Sequence, residues 1–207
     1  MRLSKPRVLP VQEGELTPPQ RLVLEKLDPR RRSFNVYKTL VRHPRLAERF
    51  IATIRYILSE STLPPRDREL LILRIGWLCR AEYEWSRHSI LARQVGLTDV
   101  EIHRISEGPA AEGWSGFEAA LLRAVDELYE DAFISDATWE TLAEGYSEEQ
   151  LMDLVFTVGQ YNLVSMVLNT FGVQLDEDTS GFPENDLSDK RRKMPTSVRN
   201  RSVHRER

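Results

Sequence analysis

The chain has 207 residues, 41% of them apolar and 29% charged with a net charge of −3, which suits one hydrophobic core of ordinary size. It holds no run of eighteen apolar residues, and its opening MRLSKPRVLPVQEGELTPP has no apolar stretch long enough for a secretory segment, so a cytoplasmic protein without membrane attachment is expected. The single cysteine, Cys79, excludes an internal disulfide, a Cys-x-x-Cys pair and a multi-cysteine zinc site.

Helical periodicity runs through the chain and no alternating strand pattern or internal repeat is present, so the expected class is all-α. Residues 1–17 read as an extended opening segment punctuated by Pro6 and Pro10. Pro18-Pro19 starts a short helix through Leu22, Leu24 and Leu27 that Asp28-Pro29 ends. A second helix carries Phe34, Tyr37, Leu40 and Val41 up to His43-Pro44, and a third carries Leu46, Phe50, Ile54, Ile57 and Leu58 up to Leu63-Pro64-Pro65. The next stretch, RDRELLILRIGWLCRA, is apolar around most of its circumference and is expected at the centre of the fold.

A helix from about Ala81 to Val95 follows, with Gly96 as its C-terminal cap and Thr98-x-x-Glu101 as the capping box of the next. The loop GPAAEGWSG leads to helices over Phe117–Phe133 and Thr138–Tyr146, and Ser147-x-x-Gln150 caps a long apolar helix that Gly172 ends. Residues 18–175 are therefore expected as one helical domain and 176–207 as a polar, disordered tail. Residues 190–207 carry eight Lys/Arg against Glu206 alone, and removing that +7 from the total leaves −10 on residues 1–189. An acidic body with a basic end that lacks aromatic residues does not suit a nucleic-acid binder.

The window Glu69 to Gly96, ELLILRIGWLCRAEYEWSRHSILARQVG, carries the candidate chemistry. Glu84 and His88 are four residues apart and share a helix face, where the carboxylate favours the imidazolium and orients the ring. Glu69 lies nineteen residues before His88, about 28 Å along an unbroken helix, so the two meet only if the chain reverses near Leu78–Arg80. Glu69 sits in an otherwise apolar helix and needs a partner, with Arg66, Arg68 and Arg74 available for a purely structural ion pair. Cys79 reads as a small buried residue, and Trp77 and Trp85 as core before ligand walls.

The pattern Arg68-Glu69-Leu70, Tyr83-Glu84-Trp85-x-x-His88, Ala92-x-x-x-Gly96-Leu97-Thr98 and Glu101-Ile102 resembles the carboxymuconolactone decarboxylase and alkylhydroperoxidase D (AhpD) superfamily. The resemblance spans about residues 30–175, including Tyr161-Asn162, Asn169 and Phe171-Gly172-Val173, and falls in a Tyr-Glu-Trp-x-x-His form. In the peroxidase branch a glutamate precedes a Cys-x-x-Cys pair and a histidine four residues after its second cysteine. Glu69 and His88 match the outer positions, while Ala81 and Glu84 stand at those of the cysteines.

What the resemblance implies is an AhpD-like helical bundle assembling as a homotrimer or homohexamer. It also implies a cofactor-independent, decarboxylase-like activity on a small carboxylated or lactone substrate. Glu69, Glu84 and His88 are then the catalytic candidates, and Tyr83, Trp85, Arg80, Arg87, Tyr161 and Asn162 the candidates for substrate contact. The competing expectations are a noncatalytic helical binding or assembly module and, against the missing second cysteine, a thiol-linked peroxidase.

Overall fold

The computed structural model describes residues 1–183. Among these are ten α-helices and no strand: α1 (Pro18–Glu25), α2 (Pro29–Arg32), α3 (Asn35–Leu40), α4 (Pro44–Ser59), α5 (Pro65–Leu78), α6 (Glu82–Gln94), α7 (Asp99–Glu107), α8 (Gly116–Asp131), α9 (Asp136–Ala143) and α10 (Glu148–Phe171). The all-α class expected from the periodicity is the one formed. Two short elements escaped it, a 3-10 turn at Glu13–Glu15 and the single turn α2, both too short to show a period.

Polar caps set most boundaries. Thr98 and Ser147 form the capping boxes read from sequence, and Ser115 with Glu118 forms a third, hidden in the Gly/Ala-rich loop. Gly172 ends α10 with a φ of 68°, a left-handed conformation open to glycine at no steric cost.

Helix α5 is buried from Glu69 to Gly76 because α6, α7, α8 and α10 all pack against it. Its core layer of Leu70, Leu71, Ile72, Leu73 and Ile75 meets Leu121, Leu122, Val125, Leu154 and Val158. Arg74 tolerates this position because it donates twice to Asp126, at 2.6 and 2.7 Å, and to the carbonyls of Ile105 and Ser106. A second cluster of Val11, Val23, Leu24, Leu27, Leu40, Val41 and Ile51 joins the opening segment to α1, α3 and α4.

The boundary expected after residue 175 needs moving. Residues 176–183 pack on α6: Asp176 accepts from the Tyr83 hydroxyl at 2.6 Å and from the Asn35 amide at 2.8 Å, Asp178 meets Arg87, and Phe182 stacks edge-on against Trp77. The two aspartates find basic and hydroxyl partners that composition does not reveal. The basic stretch 190–207 lies outside the described residues.

Helix α10 is long and apolar enough, on length and composition, to span a membrane, and half of its most apolar window is buried in the bundle. Its outer face leaves Met152, Phe156, Leu163 and Met166 exposed at helical spacing.

Candidate active site

The reversal between α5 and α6 takes place at Cys79–Ala81 and needs neither glycine nor proline. Arg80 supplies it with a left-handed φ of 54°, and the Ala81 amide donates back to the Gly76 carbonyl at 2.8 Å. Helix α6 then runs antiparallel to α5, so residues nineteen apart in sequence become neighbours. Gly76 makes the approach close: a methyl group there would sit 3.4 Å from Glu84 Cγ.

The hairpin brings the three acid/base candidates together. His88 Nδ1 lies 2.6 Å from Glu69 Oε2 and Nε2 lies 2.9 Å from Glu84 Oε1, so one imidazole is held between two carboxylates. All three side chains are buried, Glu69 fully and Glu84 and His88 at 4% and 6% exposure. Glu69 Oε1 also receives Arg68 Nε at 3.3 Å. Arg66 is turned instead to Glu101 and Glu118, and Arg74 to Asp126.

The clamp is asymmetric. The Glu69 contact is a short hydrogen bond, whereas Glu84 Oε1 is at ion-pair distance but makes no hydrogen bond. Burial alone would lower the pKa of His88, but the charges of Glu69 and then Glu84 outweigh it and raise it from 6.5 to about 10. The ring is therefore an imidazolium at neutral pH.

Tyr161 on α10 stands edge-on to His88 with ring centroids 5.0 Å apart, and burial, reinforced by Glu84 and Glu69, holds its phenol protonated. Tyr37 on α3, packed in the second cluster, feels the same site at longer range, its hydroxyl pushed up by burial and, in smaller part, by the Glu84 charge. Sequence reasoning missed Tyr37 because it falls on an apolar helix stripe and looks like core.

The remaining candidates are placed elsewhere. Tyr83 donates a hydrogen bond from its hydroxyl to Asp176, and Trp85 packs between Trp77 and Phe182 at centroid distances of 5.1 and 5.7 Å. Arg87 lies 3.6 Å over the Phe34 ring and meets Asp178 through both terminal nitrogens. Arg80 is exposed at the turn. Asn162 accepts the Cys79 thiol at 3.2 Å, and burial raises the pKa of that thiol. Of two surface cavities, about 330 and 10 Å³, neither is lined by Glu69, Glu84 or His88.

The sequence model of the carboxymuconolactone decarboxylase family matches residues 44–127, from the start of α4 into α8, which includes the whole clamp. Over that stretch the chain is similar to the carboxymuconolactone decarboxylase family. No curated protein matches the chain. Among solved structures, an alkylhydroperoxidase AhpD core protein related to peroxidases, from Ralstonia eutropha, superposes with a TM-score of 0.73 at 18% identity, over 84% of this chain and 93% of its own. A protein of unknown function from Agrobacterium tumefaciens gives 0.62 at 23% identity, over 66% of this chain and 94% of its own. A debrominase in complex with 2,3,4-tribromopyrrole gives 0.65 at 16% identity, over 84% of this chain and 94% of its own. At these identities the likeness is one of fold, and the fold is the AhpD-like helical bundle that the carboxymuconolactone decarboxylase resemblance implies.

Proposed function

We propose that the protein is a cofactor-independent enzyme of the carboxymuconolactone decarboxylase type, using His88 as a proton donor to a small carboxylated or lactone substrate. The observation that carries this reading is the buried His88 imidazole held between the Glu69 and Glu84 carboxylates, an arrangement that favours its protonated form. Loss of carbon dioxide leaves the electron pair of the broken carbon–carbon bond on an extended enolate, and a positioned acid then protonates one carbon.

Glu69, with its short bond to Nδ1, is the positioning residue. Glu84, out of hydrogen-bonding geometry at Nε2, is the side that opens: a rotation of its side chain exposes the Nε2 proton to substrate, and its carboxylate afterwards relays a solvent proton back. The chain's one cysteine gives no dithiol to cycle, so a thiol-linked peroxidase is disfavoured. The exposed apolar face of α10 supports self-association as a homotrimer or homohexamer, to be read by light scattering.

The test is carbon dioxide release from a panel of carboxylated lactones. His88→Ala is expected to lower turnover by about 10² to 10⁴ and Glu84→Gln by less. A substrate turned over equally by wild type, His88→Ala and Glu69→Gln would overturn the assignment. The complete burial of Glu69 favours the rival, a noncatalytic helical module in which the clamp is only a structural ion-pair network. No turnover across the panel, with unfolding of all three variants, would make that module the better reading.

A further inference from the structure

Arg87 on α6 is held on three sides. Its guanidinium lies 3.6 Å over the Phe34 ring, its Nε faces Asp176 Oδ2 at 3.3 Å, and both terminal nitrogens meet both oxygens of Asp178 at 3.0–3.3 Å. The three supports differ in exposure: the side chains of Arg87 and Asp176 are 12% and 9% exposed, that of Asp178 67%. Asp176 is fixed from elsewhere as well, accepting from the Tyr83 hydroxyl and the Asn35 amide. The Asp178 side chain bonds only to Arg87 among the described residues.

An ion pair with so exposed a partner contributes little in water, so Asp178 leaves Arg87 at small cost. The guanidinium stays in place when it does, because Phe34 and Asp176 hold it from the other sides. What then faces outward is a nearly buried, pre-oriented fork, the geometry that takes a carboxylate through paired donors. Fixing the fork beforehand lowers the cost of binding. Tyr83 and Arg87 occupy one side of α6, and Glu84 and His88 the next, about 100° round the helix. The Tyr37 hydroxyl feels the charges of both Glu84 and Arg87, which sets the fork beside the clamp.

We infer that the Arg87 fork is a carboxylate-binding position beside the His88 clamp, which Asp178 occupies until the carboxylate of a small organic acid displaces it. The chain's own carboxylate stands in for that of the ligand. Residues 177–182 loosen with the exchange, since Asp178 and the stacking of Phe182 on Trp77 and Trp85, at 5.0 and 5.7 Å, are what lay them on α6. The choice of acid rests on the carboxylated substrate proposed above, but the site is tested by binding alone.

The experiment titrates the full-length protein, at constant ionic strength, with paraconate, a carboxylated γ-butyrolactone, and with its uncharged methyl ester. The readouts are the Arg87 Nε–H signal and acrylamide quenching of tryptophan emission. Paraconate is expected to shift the Arg87 signal saturably and to raise quenching as Phe182 leaves Trp77 and Trp85; the ester should do neither. Asp178→Asn removes the competitor at an exposed side chain, so the fold is kept and paraconate should bind about fivefold more tightly. Glu177→Gln removes a neighbouring exposed charge that does not touch Arg87 and should leave affinity unchanged. Arg87→Lys keeps the charge, loses the fork and should weaken binding about tenfold. Equal binding of acid and ester, no saturable binding to wild type or Asp178→Asn, or affinity unchanged in Asp178→Asn would each overturn the proposal. Binding that Asp178→Asn tightens, without carbon dioxide release, would uphold this site and count against the decarboxylase; turnover with affinity unchanged in Asp178→Asn would count against this site alone.

Discussion

The charge on His88 ties stability to pH, and the size of the effect follows from the clamp. Its pKa rises from 6.5 in the unfolded chain to about 10 in the fold, because Glu69 and Glu84 together outweigh the cost of burial. A base whose pKa is raised on folding contributes stability that is fully present below pH 6.5 and is lost as the pH rises through about 10. Each pH unit between these limits is worth about 1.4 kcal/mol, so the whole interval is worth about 5 kcal/mol and the part from pH 6.5 to 9 about 3 kcal/mol. The Met1 amine, whose pKa burial lowers, works in the opposite direction below pH 8.0, while the raised pKa of Cys79 destabilises the fold only from about pH 9 upward. Urea unfolding between pH 6.5 and 9 is expected to show stability falling toward the alkaline end. Glu84→Gln removes one of the two carboxylates and should shift the fall to lower pH. Nitrogen-detected imidazole spectra give the site-specific reading, with both His88 nitrogens protonated at pH 8. A neutral His88 ring at that pH, or stability that does not fall between pH 7 and 9, would refute the reasoning.

Two further perturbations probe the frame around the clamp. Asp153, nearly buried, accepts from Tyr56, Ser61 and Thr62 at 2.7–3.0 Å; Asp153→Ala should cost about 3 kcal/mol in chemical denaturation. Burial tends to raise its pKa, but these bonds hold it lower, so its contribution is present above the ordinary 3.8 and disappears as pH falls through the depressed value. Ala132 closes α8 with a left-handed φ of 55°, and Ala132→Gly should raise stability by about 1 kcal/mol, visible as a rise of about 2–4 °C in Tm.

Much of this arrangement is legible in the sequence wherever a physical rule is local. The 3.6 period gives α4 and α8, long apolar runs between helix breakers and caps give α5 and α10, and Thr98 and Ser147 mark helix starts because a hydroxyl before a helix accepts from its free amides. The pairing of Glu84 with His88 is equally local. The meeting of Glu69 with His88 depends on Arg80 taking a left-handed conformation, which no residue preference announces, so spacing alone allows the contact without requiring it. Tyr37 and the docking of 176–183 on Arg87 are wholly tertiary: they become visible only when α3, α6 and the chain after α10 share one surface.

Position 84 decides what the hairpin is able to do. It stands where the resemblance places the second cysteine of a peroxidase pair, in the first turn of α6 and 2.9 Å from His88 Nε2. A carboxylate there adds a second negative charge beside the imidazole and favours its protonated form at neutral pH. A thiol there would feel the positive end of the helix and the neighbouring imidazolium, both of which favour thiolate. Glu84→Cys is therefore expected to produce a thiolate with an apparent pKa below about 7.5, against about 8.5 for free cysteine, measured by ultraviolet absorbance. Glu84→Ser, which leaves only the Glu69 charge beside the ring, should draw the pKa of His88 down from about 10 and show no thiolate absorbance, whereas the thiolate of Glu84→Cys keeps a second negative charge there. Cys79 does not interfere, because burial raises its pKa. An introduced thiol that titrates at or above the free value would show that the charge of His88 does not reach position 84, and the proton-donor assignment would then lose its electrostatic basis.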